Sequence, residues 1–123
     1  MTQDDFRLML EMMADSWTNR EYGMVTECFA QNLFYSDSLN YSFTNKDELL
    51  RFFENDDGMP QKCVFHRSVF DERGQIGAAE YTYSGTNQFH GTVWLKLVGD
   101  RIVDWREYQH TSGQTWEEFW KRT

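Results

Sequence analysis

The chain has 123 residues, 17% of them aromatic, one proline and a formal net charge of -8. That length holds one hydrophobic core and one domain, residues 1–123, and so aromatic a composition argues against disorder. The acidic balance excludes a nucleic-acid or anionic-lipid surface, either of which needs a basic patch, so neither nucleic acid nor a membrane is an expected partner.

The start, Met1-Thr2-Gln3-Asp4-Asp5, lacks a basic region and an apolar signal core, and no run approaches membrane-spanning length. A cytoplasmic location is the expectation. Phe6, Met9, Leu10, Met13 and Trp17 fall at helical spacing, with Asp4 or Asp5 placed to favour the helix N-terminus. The methionines and Trp17 either pack as plain core or line a ligand cavity, since Met adapts to irregular apolar space. After the Asn19-Arg20 break, Tyr22, Val25, Cys28 and Phe29 suggest a second short helix. Cys28 and Cys63 fit no metal spacing and no disulfide framework, and read as two buried reduced thiols.

Phe34-Tyr35-Ser36-Asp37 comes next, followed by a polar stretch through Asn40 and Asn45. If extended, Tyr35 and Asp37 point the same way; otherwise they are a core tyrosine and a solvated loop acid. Asn45 with Glu48 has capping-box spacing for a helix whose Leu49, Leu50, Phe52 and Phe53 face inward, and Asn55-Asp56-Asp57-Gly58 ends it. Four strands follow over residues 62–70, 76–84, 88–98 and 101–111, separated by turn-forming residues, as an antiparallel meander.

In the third of these strands Phe89, Gly91, Val93, Leu95 and Leu97 make the natural core face, with Gly91 leaving room for a ligand or a bend. In the last, Val103, Trp105, Glu107 and Gln109 share one face, with Ile102, Asp104, Arg106 and Tyr108 on the other. Both faces are half apolar, so each is expected to be covered. A strict two-residue turn at Gly99-Asp100 would set even positions of the third strand beside Glu107. A three-residue bulged turn keeps odd with odd, and the apolar pattern favours it. Thr115 with Glu118 then opens a helix bearing Trp116, Phe119 and Trp120.

Ile102-Val103-Asp104-Trp105-Arg106-Glu107-Tyr108 before a C-terminal amphipathic piece resembles the nuclear transport factor 2-like superfamily, in its SnoaL-like branch, and the order of elements matches over the whole chain. The resemblance implies an α+β cone: a curved antiparallel sheet of four or more strands, with N-terminal helices on its concave face enclosing an apolar pocket. In the limonene epoxide hydrolases of that superfamily, a Tyr-x-Asn pair helps hold the attacking water, and Tyr35-Ser36-Asp37 is similar to it with Asp for Asn. The same resemblance sets Glu107 on the Asp of their Trp-Arg-Asp-Tyr. It departs where those enzymes carry an Arg and a second Asp, since Glu80 and Thr82 stand there, so their catalytic triad is not carried over.

These readings give Glu107, Asp37 and Tyr35 as candidate catalytic residues, and Trp17, Glu80, Phe89, Val93 and Trp105 as the pocket lining. With Ala78, Glu80 and Thr82 inward, Glu80 and Glu107 would form an acid–base pair. A Glu107 carboxyl shielded beside Trp105 is expected to titrate high, unless an arginine or tyrosine partner neutralises it. His66 and His90 have no second histidine at ligand spacing, and no phosphate-binding or dinucleotide turn occurs. Neither a metal nor an organic cofactor is therefore expected. The expected partners are a small apolar or amphipathic molecule, for binding or for cofactor-independent isomerase, cyclase or hydrolase chemistry, and a second copy of the chain. That copy would meet the sheet's outer face, where Ile102, Tyr108, Trp94, Tyr81 and Tyr83 are expected. A non-catalytic binding or interaction module is the alternative.

Overall fold

The computed structural model describes residues 1–38 and 41–121. Asn40, in the polar stretch expected after Asp37, lies outside the described residues. Helix α1 (Gln3–Thr18) begins on Thr2, whose hydroxyl accepts the Asp5 N–H while the Asp5 carboxylate accepts the Thr2 N–H. That reciprocal cap satisfies two of the donors a helix start leaves open. Arg20, at φ 59°, turns the chain into α2 (Tyr22–Thr26), and β1 (Phe29–Asp37) follows directly. A short β2 (Ser42–Asn45) leads into α3 (Lys46–Glu54), where the Asn45 side chain accepts from the Asp47 and Glu48 N–H groups. Strands β3 (Lys62–Asp71), β4 (Ile76–Ser84), β5 (Gln88–Val98) and β6 (Arg101–Thr111) complete the sheet, and α4 (Trp116–Trp120) follows them.

The six strands lie in the order β2-β1-β6-β5-β4-β3. All neighbouring pairs are antiparallel except β1 and β6, which run parallel. The sheet is therefore mixed, with β1 added beside the expected meander. Phe6, Leu10 and Met13 of α1, Val25 of α2 and Leu49 and Phe53 of α3 join Phe29, Val93, Leu95, Ile102 and Trp105 in one buried core. Close approach of α1 depends on Gly77, where an added Cβ would come within 2.6 Å of the Phe6 ring. Phe6 in turn stacks on Phe70 at 4.5 Å between ring centroids.

The β5–β6 hairpin resolves the register. Val98 pairs with Arg101 across a two-residue turn whose Gly99 and Asp100 both have positive φ, 56° and 60°, as a type I′ turn requires. The extra residue sits inside β6 instead: Leu97 faces Ile102, but Lys96 faces Asp104, so Val103 is a bulge. Ile102 and Trp105, three apart, consequently both point into the core. Beyond the bulge, Val93 stands opposite Glu107, odd with odd. The expectation that Ile102 faces outward is thereby corrected.

Helix α4 packs on the other side of the sheet. Trp116 stacks on His66 at 3.8 Å, Phe119 on His90 at 5.6 Å, and the Arg67 guanidinium lies 4.3 Å from the Trp120 ring. Beneath them the Thr82 hydroxyl bridges His66 Nε2 (2.7 Å) and His90 Nδ1 (2.9 Å). Both histidines are strand residues of the outer face.

Candidate ligand-binding and catalytic site

Strand alternation decides what reaches the helix-covered face. In β4 the buried positions are Gly77, Ala79 and Tyr81, so Ala78, Glu80 and Thr82 point the opposite way. Glu80 lies on the outer face, its Oε1 accepting from Arg67 Nε at 2.9 Å. It takes no part in an inner acid–base pair. The physical reason is Gly91, which faces Tyr81 across β4–β5; a Cβ there would lie 2.6 Å from the Tyr81 ring. The space read from Gly91 as room for a ligand is filled by that ring. Tyr81 and Tyr83, expected outside, are both inside.

Glu107 is the centre of the inner face. It is 9% exposed, and three donors converge on its carboxylate: the Tyr35 hydroxyl at 2.6 Å and Trp105 Nε1 at 2.9 Å on Oε1, and the Tyr81 hydroxyl at 2.5 Å on Oε2. The Tyr81 hydroxyl is shared with Gln109 Oε1 at 2.9 Å. The partners come from β1, β4 and β6, so the sheet's register assembles the cluster. Tyr35 pairs with Trp105 and Asp37 with Glu107 across the parallel β1–β6 ladder. The Tyr35 and Trp105 rings stack with an interplanar angle of 8° and 6.0 Å between centroids. Among the described residues, no lysine, arginine or histidine comes within the 4.0 Å of an ion pair with Glu107.

Above this cluster opens a cleft of about 540 Å³. Trp17, Tyr35, Asp37, Phe89, Trp105 and Glu107 line it. Val93, expected in the lining, lies fully buried in the core below. The cleft wall also holds residues that the sequence reading did not assign to it, among them Tyr81, Phe53 and Gln61. Gln61 donates to the Trp17 carbonyl (2.6 Å) and the Tyr22 hydroxyl (2.9 Å) and accepts from the Tyr83 hydroxyl (2.8 Å). Asp56 accepts from Tyr22 and from Arg20 Nε, the latter at 2.9 Å, and those donors hold its carboxyl below the usual range, Tyr22 most of all. Asp57 is likewise held low, chiefly by the Thr86 hydroxyl at 2.5 Å.

The phenols are shifted the other way. Burial, reinforced by the neighbouring Glu107 charge, pushes Tyr35 and Tyr81 well above the ordinary tyrosine value, and burial with the Asp56 contact takes Tyr22 to about 12. Each therefore stays a neutral donor at physiological pH. A tyrosine whose folded pKa exceeds its unfolded value near 10 favours the native state below that value. The benefit is lost as pH rises and the unfolded chain ionises first. Stability measured by urea unfolding is expected to be level near neutrality and to fall steeply above about pH 10. Tyr35→Phe should lessen that slope; an unchanged slope would place the ionising groups elsewhere. The buried Cys28 and Cys63 thiols, pushed to about 11 and about 12 by burial, act in the same direction.

No protein-family model and no curated protein matches the chain by sequence. Solved structures do match by shape. An NTF-2 like protein of unknown function from Burkholderia xenovorans LB400 superposes with a TM-score of 0.80 at 11% identity, over 98% of this chain and 96% of that one. An LEH-like epoxide hydrolase from M. tuberculosis gives 0.72 at 18% identity, over 83% and 80%. A protein with a ketosteroid isomerase-like fold from Catenulispora acidiphila DSM 44928, solved in complex with trimethylamine, gives 0.71 at 16% identity, over 81% and 83%. The chain thus shares its overall shape with these proteins: it has the nuclear transport factor 2-like fold.

Proposed function

We propose that the cleft above Glu107 binds a small organic molecule and that Glu107 acts there as a general base, in cofactor-independent isomerase, cyclase or hydrolase chemistry. The observation that carries this reading is a carboxylate at the floor of an aromatic cleft, held by three uncharged donors instead of a cation. A base must be fixed in place yet free to take a proton. Once Glu107 is protonated it needs fewer donors. Tyr35 or Tyr81 then has a hydroxyl to turn toward negative charge developing on the substrate. Asp37, opposite Glu107 on β1, supplies a second carboxylate to the same cleft. Epoxide hydrolase, cyclase and isomerase names among the structures of similar shape support a reaction of this kind.

Proton abstraction leaves a signature that does not require the natural substrate. Incubated in D2O with a panel of cyclic and aryl ketones, the protein is expected to exchange α-hydrogens of those that bind. Glu107→Gln should slow that exchange by about 100-fold or more. Exchange that is no faster than buffer, or equal in the variant, would favour a binding protein without catalysis. That second reading draws on the same cluster, because three hydrogen bonds also satisfy a purely structural buried carboxylate.

We further propose that two copies pair through the sheet's outer face, where Trp94 and Tyr108 stand 45% and 57% exposed. Sedimentation at micromolar concentration should give a dimer, and Trp94→Ser with Tyr108→Ser a monomer. A monomeric wild type would remove this interface.

A further inference from the structure

The chemistry of the cleft wall also bears on what it selects. Most of the lining side chains are aromatic, and its carboxylates are Asp37, Asp56, Asp57 and Glu107; no lysine, arginine or histidine lines it among the described residues. Arg20, from outside the lining, pairs with Asp56, but among the described residues the Glu107 carboxylate has only neutral donors. Hydroxyls and an indole N–H solvate a buried charge without cancelling it, and an uncompensated charge in such a place favours entry of its opposite. The ring faces act in the same sense. Trp17 lies 4.7 Å from Phe53, and Phe53 5.8 Å edge-on from Tyr35, between centroids, so a contiguous set of aromatic rings borders the cleft that Glu107 lines. Aromatic faces attract a cation through their quadrupoles, most strongly where water is excluded, and they suit one whose charge is spread over alkyl groups. An anion meets repulsion from both features.

We propose that the cleft selects an organic cation: a protonated or quaternary amine on an apolar body, its charged end toward Glu107 and its alkyl groups against the aromatic wall. The inference rests on the reading above that this cleft is a small-molecule site and adds the charge of the occupant. The protein's net charge of -8 would aid capture of such a ligand.

Choline and its uncharged carbon isostere, 3,3-dimethylbutan-1-ol, separate charge from shape. Titrated into the full chain by calorimetry and NMR, choline is expected to bind about tenfold or more tightly than the alcohol. Glu107→Gln should remove most of that preference. Trp17→Leu, which keeps an apolar side chain and removes the π face, should weaken choline more than the alcohol. If the alcohol binds as tightly as choline, the cleft remains a small-molecule site and the cation selection is overturned. If neither perturbs cleft residues, both the selection and the site reading fail.

Discussion

Glu107→Gln is expected to yield a folded protein, whereas Glu107→Ala should cost about 3 kcal/mol or more of stability. The difference lies in the hydrogen-bond ledger of the cluster. In the glutamine variant the side-chain oxygen still accepts from Tyr35 and Trp105, and its new N–H can donate to the Tyr81 oxygen, whose own proton then goes to Gln109. Alanine removes the acceptor of Tyr35 and Trp105 and leaves Tyr81 with Gln109 alone. Tyr35, Tyr81 and Trp105 are 4%, 5% and 2% exposed, and each buried group left unsatisfied costs about 1–3 kcal/mol. Only the part of that cost which cleft water relieves is recovered. Urea unfolding of the two variants beside the wild type measures it; similar losses would mean that the carboxylate position does not organise the cluster.

Gly91→Ala is expected to destabilise by about 1–3 kcal/mol and, at the same time, to disturb the site. The added Cβ falls within 2.6 Å of the Tyr81 ring. That ring cannot swing away freely, because its hydroxyl is held by Glu107 and Gln109 and its edge meets Phe65 at 6.1 Å between centroids. Relief therefore comes by shifting the hydroxyl off Glu107. Pairing Gly91→Ala with Tyr81→Phe should be less than additive, since the phenylalanine ring has no hydrogen bond to lose. Full additivity in denaturant midpoints would show that Gly91 and Tyr81 are not coupled.

The hairpin and cleft mark where sequence suffices. Alternation of Val93, Leu95 and Leu97, and turn signals at regular spacing, are local, so β5 and its neighbours were legible to within a residue. Glu107, Trp105, Tyr35 and Asp37 reach one cleft because strand parity places each pair from its own segment. The parity of β4 was not legible, because both of its faces mix small and polar residues, and Glu80 looked as suited to the inside as Tyr81. The deciding feature was nonlocal: Gly91, on another strand, makes the cavity that accepts the Tyr81 ring. Read as a partner for a large aromatic opposite it, that glycine would have put Tyr81, Tyr83 and Ala79 inward and Glu80 outward. The bulge at Val103 was misplaced into the turn for a similar reason. Counting apolar residues shows that one extra residue is needed, and the positive φ at Asp100 then decides that the turn itself stays tight. Asp56, Gln61 and Phe53 were missed as cleft residues because they reach it from α3 and the loop after it, whose packing onto the sheet no periodicity records.

The five tryptophans report on both faces of the sheet at once. Trp17 and Trp105 line the cleft, while Trp94 lies on the outer face and Trp116 and Trp120 belong to the helix packed there. Fluorine NMR of protein labelled with 5-fluorotryptophan, titrated with a fragment library of small amines, ketones and alcohols, therefore tests most directly whether the cleft above Glu107 is the binding site. Bound fragments are expected to shift the Trp17 and Trp105 resonances and leave Trp94, Trp116 and Trp120 in place. Shifts confined to the outer-face tryptophans, or none from any fragment, would contradict that reading of the cleft.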